Sequence, residues 1–112
     1  MTQILIADDH PLFRLALTQA LRAIAPDAAL IEADSLAAAR AQLDARHDVD
    51  LVLLDLHLPD SHGLMALAEL RAEHPAVAVV MISAHEDPAV IRRALAFGAA
   101  GYIPKGASLD EI

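Results

Sequence analysis

Cysteine is absent from the chain, which excludes a disulfide scaffold and any thiolate metal site. No apolar stretch approaches the roughly 20 residues that a membrane span requires. The N-terminus has no basic segment leading into a long apolar one, so no secretory signal is visible and a cytoplasmic location is expected. No G-x-x-x-x-G-K-[ST] occurs, which argues against a P-loop nucleotidase, and none of the six histidines falls in a zinc spacing such as H-E-x-x-H. Positive charge is scarce as well. Eight Lys and Arg face sixteen Asp and Glu, for a net charge of −8, and the one lysine is Lys105. Such a surface repels phosphate backbones, so no direct binding of DNA or RNA by this segment is expected.

What is abundant is apolar sequence, 56% of 112 residues, against roughly 45–50% in an average globular protein. The length suits one domain with one hydrophobic core. The excess suits a sheet covered on both faces, whose strands read as continuous apolar runs. Short β-type runs alternate with longer helical ones. Gln3 to Ala7 predicts a strand that stops at Asp8-Asp9, and Pro11 suits the first turn of a helix. Phe13, Ala16, Leu17, Ala20, Leu21 and Ile24 give that helix an amphipathic stripe, ending before Pro26. A second strand is predicted over Ala28–Ala33, then a helix capped by Ser35 with Leu36, Ala39 and Leu43 on one side. Leu51-Val52-Leu53-Leu54 predicts a central strand running straight into Asp55. Pro59 and Gly63 precede a helix carrying Leu64, Leu67 and Ala68, ending near His74-Pro75. Val77 to Ile82 predicts a second buried strand that ends at Ser83. Asp87-Pro88 starts a helix that Gly98 stops, and Gly101 to Pro104 is a short strand delivering Lys105.

Five strands alternating with helices predict an α/β domain with a parallel sheet, without internal repeat or linker. Ser108 to Glu111 has the spacing of a capping box, and the sequence stops at Ile112. The final helix is therefore expected to be largely missing and the native protein to continue.

In a parallel α/β sheet all strands end at one edge, and ligands bind there. Asp8 and Asp9 after the first strand, Asp55 after the third, Ser83 after the fourth and Lys105 after the fifth would converge on that edge. Singly these residues are unremarkable: an acidic pair is commonly a solvated turn, a serine a helix cap, a lysine a surface charge. Jointly they are not. Three clustered carboxylates repel one another, and a hard divalent cation such as Mg²⁺ resolves the conflict with oxygen ligands and retained waters. Lys105 adds a second positive charge and Ser83 a hydroxyl donor. Those are the parts phosphoryl transfer needs, and Asp55 can serve as the nucleophile.

The segments ILIADDH (Ile4 to His10), LVLLDLHLP (Leu51 to Pro59), Gly63, MISA (Met81 to Ala84) and GAAGYIPK (Gly98 to Lys105) resemble the receiver domain of bacterial response regulators, most closely those of the NarL/FixJ (LuxR-type) transcription factors. The resemblance implies a flavodoxin-like (βα)5 receiver fold, with a five-stranded parallel sheet ordered 2-1-3-4-5, over residues 1–112. It implies that Asp55 is the phosphorylation site and Asp9 the direct metal ligand, with Asp8 holding metal-bound water and the His57 carbonyl completing the shell. Ser83 corresponds to the switch hydroxyl, Tyr102 to the switch aromatic and Lys105 to the family lysine. His57 and His85 stand two residues beyond Asp55 and Ser83, offsets that tune phosphoryl hydrolysis in this family. The implied cofactor is Mg²⁺. The implied partners are a sensor histidine kinase or phosphotransfer protein, a second copy on phosphorylation, and DNA through a C-terminal helix-turn-helix domain outside this sequence. Such a domain is a phosphoacceptor switch and not an enzyme with turnover. Leu12 and Leu15, off the core stripe of the first helix, offer an apolar patch where a kinase helix could dock.

The sequence departs from the family at Gly106, where a proline often follows the lysine. A haloacid-dehalogenase-type phosphatase also uses an aspartyl phosphate, but it wants D-x-D where this chain has Asp55-Leu56-His57. A flavodoxin-like cofactor binder needs a phosphate-cradling loop where Asp8 and Asp9 would repel phosphate. A pseudo-receiver acting only as an interaction module would not need the full acidic, hydroxyl and lysine set.

Overall fold

The computed structural model describes residues 2–61, 63–84 and 87–106. Its elements alternate strictly: β1 (Gln3–Ala7), α1 (Pro11–Ile24), β2 (Ala29–Ala33), α2 (Leu36–Ala45), β3 (Leu51–Asp55), α3 (Leu64–Glu73), β4 (Ala78–Ser83), α4 (Pro88–Ala96) and β5 (Gly101–Pro104). All pairings are parallel and the strand order is β2-β1-β3-β4-β5, as the resemblance implied.

The period of two along a strand explains why these runs are apolar without alternation. Leu5, Ala7, Val52, Leu54, Val79 and Met81 face one layer, where Leu43 of α2, Leu67 and Leu70 of α3 and Ala94 of α4 pack on them. The intervening Ile4, Ile6, Leu53 and Ile82 face the other layer and meet Leu17 of α1, with Phe13 and Leu21 at its margin. Each central strand is thus clamped between two helical layers, and every strand end is carried to the same edge.

Helix boundaries follow local chemistry. Pro11 starts α1, where its missing N–H leaves nothing unpaired. Ser35 caps α2 by accepting from the Ala38 N–H at 3.1 Å, and Asp87 caps α4 by accepting from the Ala89 N–H at 2.9 Å. The other two free N–H groups at the start of α2 are satisfied from across the fold. Asp60 Oδ1 accepts from Leu36 and Oδ2 from Ala37, at 2.7 and 2.9 Å. These bonds hold the Asp60 carboxyl below its ordinary range. Gly98 follows α4 at φ 102°, a left-handed conformation that suits glycine.

Several expectations shift. The second strand starts at Ala29 instead of Ala28, because the Ala28 N–H is used in a turn to the Ala25 carbonyl. The fourth strand starts at Ala78, one residue later than predicted, and runs through Ser83. The buried stripe of α3 is Ala66, Leu67 and Leu70, whereas Ala68, expected inward, is exposed. Ile24, expected on the core stripe of α1, is 61% exposed because the helix ends there, past the packed core. Leu12 and Leu15 are exposed as expected, at 83% and 53%. The anticipated capping box from Ser108 to Glu111, and His85, lie outside the described residues.

Candidate functional site at the carboxyl edge of the sheet

Strand pairing carries the chemistry-bearing residues to one edge. The Asp8 N–H extends the β1–β2 ladder to the Ala33 carbonyl at 3.0 Å, and the Leu56 N–H reaches the Ile82 carbonyl at 2.8 Å. Asp55 is paired with Ile82, and Ser83 with Pro104. One residue beyond β5, the Lys105 N–H donates to the Ser83 carbonyl at 2.7 Å, so backbone pairing delivers the lysine as well. Asp8, Asp55 and Ser83 are the polar residues buried here, and a charge is buried only when something compensates it.

Part of the compensation is Lys105. Its Nζ lies 3.0 Å from Asp8 Oδ2 and 3.3 Å from Asp55 Oδ2, bridging carboxylates 47 residues apart in sequence. The ammonium also stands 5.0 Å from the centre of the Phe13 ring, a cation–π distance. Backbone donors supply the rest: the His57 N–H reaches Asp55 Oδ1 at 3.0 Å and the His10 N–H reaches Asp8 Oδ1 at 2.7 Å. Both are donations from two residues further along, which hold each carboxylate against its own turn.

Two residues of the site carry no role in the sequence-based reading. Arg14 reaches back from the first turn of α1 to donate to the Asp8 carbonyl at 2.6 Å, while its Nε holds Glu32 at 3.0 Å, fixing the Asp8-Asp9 turn. His10 presents Nδ1 to Asp8 Oδ1 at 3.2 Å, Asp9 Oδ1 at 3.3 Å and Asp55 Oδ2 at 3.6 Å. The signals were their sequence positions, directly after the acidic pair and one helical turn on, but side-chain direction is not legible from spacing.

Asp8, Asp9, His10 and Asp55 each offer one ligand atom, all within 4.8 Å of one another. Asp8 Oδ2 and Asp9 Oδ1 are buried and, beyond the ion-pair contacts to Lys105 and His10, have no hydrogen-bond donor. A set of mostly hard oxygen donors with spare lone pairs fits a divalent cation such as Mg²⁺. Of the remaining expected site residues, His57 is exposed beside Asp55. Tyr102 pairs with Met81 and packs on the core layer that Met81 faces. Ser83, two residues after Met81 on the same strand, shares that face.

Residues 4–112 match the family model of the response regulator receiver domain. The glycerol metabolism activator of Pseudomonas putida is 42% identical over 112 residues, covering 100% of this chain and 51% of that protein. A transcriptional regulatory protein NarL of Mycobacterium tuberculosis is 37% identical over 110 residues, 98% of this chain and 50% of that protein. The chain thus spans about half the length of the curated relatives it matches. The solved signal receiver domain of NarL from Mycobacterium tuberculosis superposes with a TM-score of 0.85 at 36% identity, over 98% of this chain and 88% of that one.

Proposed function

The chain belongs to the response regulator receiver family, and from that premise we propose that residues 1–112 form a phosphoacceptor domain in which Asp55 takes a phosphoryl group from the phosphohistidine of a sensor histidine kinase or phosphotransfer protein. The observation that carries this reading is the Lys105 ammonium lying between buried Asp8 and buried Asp55. A carboxylate at the end of an apolar strand, held by one backbone N–H and one cation, is positioned as a nucleophile.

An Asp55 oxygen attacks phosphorus, the phosphorus–nitrogen bond breaks, and its electron pair leaves with the partner's imidazole. Lys105 stabilises charge on the transferring oxygens, and the Ser83 hydroxyl donates to one of them. Asp9, Asp55 and the His57 carbonyl, with Asp8 beside them, are the groups that would hold Mg²⁺, which would supply further charge neutralisation at those oxygens. Arg14 and Phe13 act as positioning residues, the first through the Asp8 carbonyl and the second through Lys105. His57 and His85 tune hydrolysis of the acyl phosphate.

The output is a population shift. The acyl phosphate draws Ser83 inward and Tyr102 follows, altering the surface of α4 and β5. That surface supports a phosphorylation-dependent homodimer. In a full-length protein it controls a DNA-binding domain, a reading that rests on the family resemblance and is supported by the transcriptional regulatory role in a relative's name. Leu12 and Leu15, exposed on α1 beside the Asp8-Asp9 turn, form the docking patch for the kinase. No helix among the described residues is long and apolar enough to cross a membrane.

Intact mass after incubation with acetyl phosphate and Mg²⁺ tests the reading. One added phosphoryl group is expected on the wild type, and none on Asp55→Asn or without Mg²⁺. No adduct on a folded wild-type chain would favour the pseudo-receiver instead.

A further inference from the structure

The chain leaves β3 at Asp55, and the course of the β3–α3 loop decides where the backbone beside that carboxylate stands. Leu56 and Leu58 are buried in the core, while His57 between them is exposed. The Leu56 N–H is pinned to β4 at the Ile82 carbonyl, 2.8 Å away, and a turn brings the Ser61 N–H to the Leu58 carbonyl at 3.1 Å. The His57 backbone is confined between these ties, and its N–H reaches Asp55 Oδ1 at 3.0 Å.

One more tie reaches the loop from outside the acidic pocket. Asp60, three residues beyond His57, accepts the Leu36 N–H on Oδ1 at 2.7 Å and the Ala37 N–H on Oδ2 at 2.9 Å. Both of its oxygens are thus spent on the N-terminus of α2, whose free N–H groups and positive dipole end hold a carboxylate as they would any anion. That helix is itself fixed, because Leu36, Ala39 and Leu43 are buried in the core. Its local cap, Ser35, serves the Ala38 N–H. Water satisfies the remaining N–H groups at many helix ends, so α2 does not require a carboxylate from 24 residues away. The loop is what gains a fixed point.

We propose that Asp60 is a positioning residue for Asp55: by clamping the β3–α3 loop onto the N-terminus of α2, it holds the His57 backbone in register with the Asp55 carboxylate. This rests on the reading of Asp55 as the phosphoacceptor and deepens it. Helix α2, which places no side chain in the acidic cluster, thereby joins the parts that set the reactivity of the site. A displacement of about 1 Å is enough to slow a group transfer by up to about a hundredfold. A loosened loop is therefore felt at Asp55 although no group of the site has been removed.

Amide hydrogen exchange, calorimetric titration with Mg²⁺ and the rate of labelling by acetyl phosphate test this on wild type, Asp60→Ala, Asp60→Asn and Ser35→Ala. Ser35→Ala removes a cap from the same helix end but no bond to the loop, so it is the control for a helix that is merely destabilised. A thermal melt checks that each variant is folded. In Asp60→Ala the His57 and Ser61 amides are expected to exchange roughly tenfold faster. Mg²⁺ binding should weaken roughly threefold or more, and labelling should slow by at least as much. Asp60→Asn, which keeps one acceptor oxygen, should fall between, and Ser35→Ala should stay within about twofold of wild type in all three. Wild-type exchange of His57 and Ser61 in Asp60→Ala overturns the proposal. So does an equal loss in Ser35→Ala, which would reduce Asp60 to a helix cap, or faster exchange with unchanged Mg²⁺ binding and labelling. A wild-type chain that takes no phosphoryl group would instead overturn the phosphoacceptor reading, while the exchange comparison still decides whether Asp60 holds His57 against Asp55.

Discussion

Asp60 lies five residues beyond Asp55, in the β3–α3 loop, yet it caps a different helix. Its two carboxylate oxygens accept the Leu36 and Ala37 N–H groups at the start of α2, so Asp60→Ala leaves two helix-end donors without their partner. Loss of a side-chain cap costs about 1 kcal/mol, and removing a negative charge from a helix N-terminus costs about 0.5 kcal/mol more. The expected total is about 1.5 kcal/mol, read as a lower urea midpoint at unchanged slope or a melting temperature lower by about 5 °C. Asp60→Asn keeps one acceptor oxygen and should lose about half as much. The bonds that lower the Asp60 carboxyl, those from Leu36 and Ala37 first, also set the pH dependence. A folded-state value below the unfolded one means that the charge-dependent stabilisation is fully present above the ordinary carboxylate value, roughly 3.9. It is lost as pH falls through the depressed folded value. The gap between wild type and Asp60→Ala should therefore narrow on acidification from pH about 7 to about 3. Ser35→Ala removes the neutral cap on Ala38, and its cost of about 1 kcal/mol should not narrow. Equal midpoints for wild type and Asp60→Ala at neutral pH, or an equal narrowing in Ser35→Ala, would refute this reasoning.

Lys105→Met removes the cation 3.0 and 3.3 Å from Asp8 and Asp55; relief of its repulsion, at least about 1 kcal/mol, should tighten Mg²⁺ binding about fivefold or more by calorimetry. The same variant should label far more slowly with acetyl phosphate, and weaker Mg²⁺ binding would contradict the electrostatic role given to Lys105. Leu67→Ala opens a cavity at a fully buried side chain and should cost about 2–5 kcal/mol in urea unfolding. Gly98→Ala forces an L side chain to φ 102° with its Cβ 3.2 Å from Arg71 Nε. A loss of about 1–2 kcal/mol in thermal stability is expected.

Sequence alone determined a great deal, because apolar runs that end abruptly in polar residues are statements about both burial and position. Leu51 to Leu54 ending in Asp55 announced a central buried strand, and Gln3 to Ala7 ending in Asp8 a strand, which in a parallel sheet would bring their chemistry to one edge. Ser35, Asp87 and Gly98 marked helix ends through short-range hydrogen bonding and backbone freedom, which a few adjacent residues settle between themselves. The inward face of α3 was misjudged because Ala66 and Ala68 are chemically identical, and only the direction in which the helix lies on the sheet distinguishes them. Strand order came through family resemblance, not through periodicity, which is blind to which strands are neighbours. What only the tertiary structure decided are contacts between side chains far apart in sequence: Lys105 lodged between Asp8 and Asp55, Asp60 capping α2, and His10 turned over the acidic pocket. Each depends on where two separately formed elements come to rest, to within the half-ångström that separates a hydrogen bond from none, and no local pattern in the chain encodes that distance.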